Sequence, residues 1–215
     1  REAVMRLTVT HDDRRALDLF AREISPSGTS WAPGTTGFSG RPKPARVVKQ
    51  FAFLLPKDKL SPRVTLDGKI ELVETAREEG GGPAPAPAAD ATVAAVPAQA
   101  PVGETEEVPL IALAYARSGD KGDMSNIGVI ARKPEYLPYL RHQLTEERVA
   151  GYLAHLVRGK VARYDAPGFD ALNFLCDRAL DGGGMASLRN DPWGKSMAQI
   201  LLSMPVVVPL GLVSS

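Results

Sequence analysis

Asp120, Lys121 and Asp123 crowd into the stretch Arg117-Ser-Gly-Asp-Lys-Gly-Asp-Met-Ser-Asn-Ile-Gly128. Carboxylates beside an ammonium are the residue types of acid–base chemistry, and carboxylate oxygens also suit a hard divalent cation. Gly119 and Gly122 free the neighbouring amides to form an anion-binding nest, to which Lys121 adds charge. Arg117, Ser118 and Asn126 supply further polar groups. On this reading Asp120, Lys121 and Asp123 are candidate catalytic residues, and Arg117, Ser118, Gly119, Gly122 and Asn126 hold an anionic ligand. Two carboxylates this close repel, so one needs Arg117, Lys121 or a metal as partner. The rival reading is a structured connection, with Asp and Ser satisfying the backbone and glycines supplying positive φ.

The flanking runs, Leu110–Tyr115 and Ile127–Ala131, are short, apolar and bounded by turn residues. They read as buried strands joined by a polar loop over 117–128. A simple hairpin needs far fewer residues, which favours a ligand site. No Gly-Lys-Ser/Thr precedes a helix, and a strand follows the glycines, so neither a Walker A loop nor a dinucleotide fingerprint is present. No cofactor is implied.

A second candidate is Gly182-Gly-Gly-Met185, where Gly183 would let backbone approach a bound group; a slack connection is the alternative. Arg189 and Lys195 flank an expected helix start at Asp191-Pro192. A helix N-terminus with two cations favours an anion, against an ordinary charged surface. His11, His142 and His155 lack metal-ligand spacing, and no metal site is assigned. Cys176 ends an apolar strand and reads as a core thiol.

Elements that position these groups follow from periodicity. Val4–Thr10 reads as a strand. Asp12 or Asp13 caps a helix bearing Leu17, Phe20, Ala21 and Ile24 on one face. Residues 25–44 read as an irregular crossover, and 63–74 as two short strands around Asp67-Gly68. Pro134 starts a helix with Leu137, Leu140 and Leu144; Thr145 caps another, with Val149, Tyr152, Leu153 and Leu156, closed by Gly159. Lys160–Tyr164, Ala171–Leu175 and Pro205–Val208 read as strands. Met197, Ile200, Leu201 and Met204 line a helix between the last two. The order of the second half is β-β-α-α-β-β-α-β. That is an α+β sandwich with helices on one face of a mainly antiparallel sheet.

Three parts are expected. Residues 1–79 look like the C-terminal end of a larger α/β domain and too little to fold alone. Residues 80–107, rich in Pro, Ala and Gly, read as a flexible linker. Residues 108–215 form the α+β unit. The 215 residues carry 44% hydrophobic and 24% charged side chains and a net charge of +1. That balance suggests neither a nucleic-acid nor an anionic-membrane partner. No apolar run is long enough to cross a bilayer. One cysteine rules out an internal disulfide and suits a reducing cytoplasm.

The run "ARSGDKGDMSNIGVIAR" resembles the signature of the C-terminal domain of the acyclic terpene utilisation (AtuA-like) family. The resemblance extends to "ALNFLCDRALDGGG" and "SLRNDPWGKSMAQILL". Upstream, "HDDRRALDLFAREI" and "GTTGFSGRPKPARVV" look like the end of that family's large N-terminal domain. Only residues 80–107 lie outside the similarity. It implies a ferredoxin-like C-terminal domain and a component of bacterial CoA-linked catabolism of acyclic terpenoids or branched-chain acids. The implied partners are an acyl-CoA or carboxylate, the N-terminal domain of the same protein and, as a likeness to interface modules suggests, further copies of the chain. A non-catalytic oligomerisation or regulatory domain is the alternative.

Overall fold

The computed structural model describes residues 3–37, 40–51, 53–73, 96–166 and 168–213. Helix α1 (Arg14–Ser30) starts at the expected cap: an Asp13 carboxylate oxygen accepts from the Arg15 amide at 2.8 Å. It runs past Ile24 and through Pro26, into the stretch expected to be irregular. Val4–Thr10 forms no strand; its residues are exposed and, among the described residues, its backbone makes no hydrogen bond to another backbone segment. Strands β1 (Arg63–Leu66) and β2 (Lys69–Leu72) form the expected hairpin. Asp67 and Gly68 both take positive φ, 52° and 75°, as a type I′ turn requires. All eight strand residues are exposed, as are Phe51, Phe53 and Leu54.

Most of the expected linker lies outside the described residues. Its end is not linker: β3 (Thr105–Pro109) pairs antiparallel with β8 (Pro205–Pro209) in full register from Thr105↔Pro209 to Pro109↔Pro205. The alternation in β3 is weak because Glu106 and Glu107 mask it. Long-range pairing with an apolar Val206-Val-Val208 run decides its state.

The rest forms the α+β unit. β4 (Ala114–Lys121), β5 (Met124–Ala131), β6 (Val161–Ala166) and β7 (Ala171–Cys176) make one antiparallel sheet in the order β4-β5-β7-β6. Helices α2 (Leu137–Gln143), α3 (Glu146–Tyr152) and α4 (Met197–Leu202) complete it. One core joins Ile127, Val129, Leu172 and Phe174 from the sheet to Leu140, Leu144, Val149, Met197 and Leu201 from the helices. Thr145 caps α3 as expected, its hydroxyl accepting from the Arg148 amide at 3.2 Å. The helix ends at Tyr152 rather than near Gly159, and Leu153–Leu156 continue as turns. α4 starts at Met197, not at Asp191-Pro192.

Cys176 is fully buried, and burial pushes its thiol up to about 11 from an ordinary 9.0. A raised folded-state pKa stabilises below the unfolded value. That stability is therefore complete below pH 9 and is lost as pH rises toward 11. A disulfide-exchange reagent at pH 8 should label no thiol in the folded protein and one after denaturation. Labelling of the native protein at the denatured rate would show Cys176 to be accessible.

Candidate functional site

The stretch 117–128 is not a loop. β4 and β5 run through it, paired from Ala114↔Ala131 to Lys121↔Met124, and a two-residue turn at Gly122-Asp123 joins them. Gly122 takes φ 68° at the first turn position, the type II′ pattern. Polar residues obey strand alternation. Ala116, Ser118, Asp120, Ser125, Ile127 and Val129 face the helices, and Arg117, Gly119, Lys121, Met124, Asn126 and Gly128 face outward. Composition suggested a loop because six of the twelve residues from 117 to 128 are Gly, Asp or Asn. Pairing and a buried inner face override it.

The hairpin tip is fastened by two of the expected site residues. One Asp123 carboxylate oxygen accepts from the amides of Gly182 at 2.7 Å and Leu180 at 3.3 Å. Its backbone carbonyl accepts from Ala179 at 2.9 Å. Gly183 meets the tip directly: a Cβ there would lie 2.0 Å from the Gly122 carbonyl oxygen. So the triple glycine admits a close approach, as expected, but the approaching group is the hairpin's own backbone. Asp123 therefore organises the loop, and Asp120 is the hairpin carboxylate left without a hydrogen bond among the described residues.

Ser118 holds a third segment to the hairpin. Its buried hydroxyl donates to Gly194 O at 2.6 Å and accepts from the Ala198 amide at 2.9 Å, in the first turn of α4. Asp191 folds the turn before α4. Its carboxylate accepts from the amides of Lys195 at 2.9 Å and Ser196 at 2.7 Å, and from the Ser196 hydroxyl at 2.6 Å. Burial opposes ionisation of Asp191, but these bonds outweigh it and hold its pKa below the usual range.

Lys195 is thus gripped through its backbone, and its side chain crosses to the outer sheet face. Its Nζ lies 2.9 Å from where a Cβ on Gly119 would stand. Arg117 and Lys121 flank Gly119 on the same face, two residues to either side. Arg117, Lys195 and Lys121 therefore form a row of cations along one edge strand. Among the described residues none of the three pairs with a carboxylate; the Lys121 ammonium donates only to the Asp120 carbonyl, at 3.4 Å.

Arg189 is not part of this row. Its guanidinium donates to Asp181 at 2.8 Å, to Leu156 O at 2.8 Å and to Ala179 O. Asn126 lies beside the row, on β5 opposite Gly119 on the same outer face, and its side-chain amide donates to Asn173 Oδ1 at 3.1 Å. Asn173, Tyr164 and Asp191 were not singled out from the sequence as site residues. Only the strand register, which sets Arg117, Gly128, Asn173 and Tyr164 in one cross-strand row, brings the first two into view. Among the described residues no three His, Cys, Asp or Glu side chains are placed to hold a metal ion, and no helix is long and apolar enough to cross a membrane.

Residues 108–207 match the family model of the AtuA ferredoxin-like domain. No curated protein and no solved structure matches the chain. The matched span covers the four-stranded sheet, the three helices packed on it and the cation row. At the level of description the family carries, this places the span with acyclic terpene utilisation. Residues 108–207 are an AtuA ferredoxin-like domain, as the sequence resemblance implied.

Proposed function

We propose that this domain is a holding site for the anionic end of an acyl-CoA or carboxylate in CoA-linked catabolism of acyclic terpenoids or branched-chain acids. The row Arg117–Lys195–Lys121 carries the reading. Three cations share one face without carboxylate partners, and two backbone anchors, Ser118 and Asp191, fix the origin of the middle one. Like charges held this close are destabilising unless an anion lies between them. Asp120, on the neighbouring inner face, is the remaining acid–base candidate. Residues 3–73 expose Phe51, Leu54, Val64, Leu66, Ile70 and Leu72, which supports the view that they belong against a larger domain.

Pyrophosphate titration by calorimetry at low salt tests the site. Lys121→Ala and Lys195→Ala should each weaken binding about threefold, the scale of one exposed charge contact, and the double variant about tenfold. Lys160→Ala, just before the far strand β6, should leave it unchanged. Absence of binding, or a double variant equal to wild type, would remove the anion reading. The runner-up is then a docking domain, which the exposed Tyr115, Ile130 and Tyr164 on the outer face favour. Its signature is self-association in sedimentation that Ile130→Asp abolishes.

A further inference from the structure

The outer face beside the cation row has a hollow that the anion reading leaves unused. Register sets four rows across the strands: Tyr115–Ile130–Ala171–Ala166, then Arg117–Gly128–Asn173–Tyr164, then Gly119–Asn126–Leu175–Ala162, then Lys121–Met124. Gly128 lies inside this grid. A Cβ there would meet only the Arg117 carbonyl oxygen, at 3.9 Å, so the space above it is open. Its neighbours on the face are Arg117 and Asn173 across the strands, and Asn126 and Ile130 along its own. The hollow is therefore one residue deep, ringed by a guanidinium, two amides and an aliphatic side chain.

The two amides are not satisfied by each other. Asn126 Nδ2 donates to Asn173 Oδ1. Asn126 Oδ1 and Asn173 Nδ2 make no further hydrogen bond among the described residues, which leaves one acceptor and one donor of this pair on the outer face. The Watson–Crick and Hoogsteen edges of adenine present the complement, an amino donor beside a ring-nitrogen acceptor. Arg117 offers a flat cation for stacking on a ring, and Tyr164, 52% exposed, closes the row on the far side. From Gly128 to Gly119, where the Lys195 ammonium lies, is about one strand spacing (~5 Å) and about one row (~7 Å). A phosphate chain leaving a base over Gly128 meets the cations at that separation.

We infer that the outer sheet face is an adenine-nucleotide site, with the base in the Gly128 hollow against Asn126, Asn173 and the Arg117 guanidinium, and the phosphates on Lys195 and Lys121. This rests on the anion reading above and narrows its ligand from any anion to one carrying an adenine, such as the nucleotide part of a CoA ester. A free nucleotide shares that chemistry, so both are assayed.

The full chain is titrated with pyrophosphate, ADP, GDP and CoA by calorimetry at low salt. ADP and CoA are expected to bind at least tenfold more tightly than pyrophosphate, and GDP no more tightly than pyrophosphate. Asn173→Ala should bring ADP to the pyrophosphate level without changing pyrophosphate binding. Gly128→Leu, which fills the hollow at a position with open space, should do the same. CoA binding that ADP fails to displace would overturn the base site. ADP equal to pyrophosphate, or ADP binding untouched by both variants, would overturn the nucleotide inference while leaving the anion reading standing. Binding of none of the four ligands would overturn both. A short single-stranded oligoadenylate whose affinity climbs with length beyond one nucleotide would also overturn it, in favour of a nucleic-acid platform.

Discussion

Gly183→Ala is expected to unfold much of the AtuA ferredoxin-like domain around the tip of the β4–β5 hairpin. Gly183 has φ 69° and ψ 164°, a region that side-chain-bearing residues essentially never occupy, and strain of that kind costs about 1–3 kcal/mol. The added Cβ would also lie 2.0 Å from the Gly122 carbonyl oxygen, 2.7 Å from its carbon and 3.3 Å from the Asp123 amide. These are backbone atoms of a hairpin turn and have no rotamer to escape into. The Asp123 bonds to Gly182 and Leu180 would break as the segments part, adding about 1–3 kcal/mol for the stranded groups. We expect a total loss of at least ~3 kcal/mol, a fall in Tm of about 10 °C or more. Gly211→Ala is the control. It too has positive φ, 82°, but nothing lies within 4 Å of its Cβ, so it carries a positive-φ substitution without the collision. Similar losses from both substitutions would mean that the tip contact contributes little. Thermal denaturation followed by circular dichroism reads the difference.

Ser118→Val should lower stability and weaken anion binding together. Ser118 is 5% exposed, and its hydroxyl serves Gly194 O, Lys195 O and the Ala198 amide. Valine puts a methyl in place of the hydroxyl, adds a second one, and leaves all three groups unsatisfied. With one or two bonds recovered by relaxation, the cost is about 2–3 kcal/mol. The backbone that carries Lys195 would lose one of its two anchors. Pyrophosphate affinity should therefore fall about as far as in Lys195→Ala, although Ser118 touches no ligand. Ser118→Thr keeps the hydroxyl and should restore most of both. A stability loss with unchanged pyrophosphate affinity would show that Asp191 alone positions the lysine.

At these two positions local sequence no longer decides the outcome. Local signals were enough for the elements: Asp13 and Thr145 cap helices, Asp67-Gly68 turns a hairpin, and the apolar runs at Ile127–Ala131, Ala171–Cys176 and Pro205–Val208 become strands. Each of these depends on residues within a few positions of one another. The α+β class and the family resemblance followed from the same short-range pattern, which also drew attention to Asp123, Gly183 and Lys195. Their roles did not follow. Whether Asp123 is an acid or a fastener depends on the amides of Leu180 and Gly182, far along the chain. Gly119 could not be recognised as the slot for the Lys195 side chain, since that contact spans the whole α+β unit.

The sequence by itself determined the helices capped by Asp13 and Thr145, the Asp67-Gly68 hairpin and the apolar strands of the α+β unit, and where charge and glycine concentrate, because capping, turn chemistry and alternation act over a few residues; it misplaced Val4–Thr10 and the end of α1. The tertiary structure alone decided that 117–128 is a hairpin, that β3 pairs with β8, and that Arg117, Lys195 and Lys121 stand in a row. Strand register and segment packing set those outcomes. Register is fixed by burying one whole face at once, a property of the assembled sheet that no local window contains.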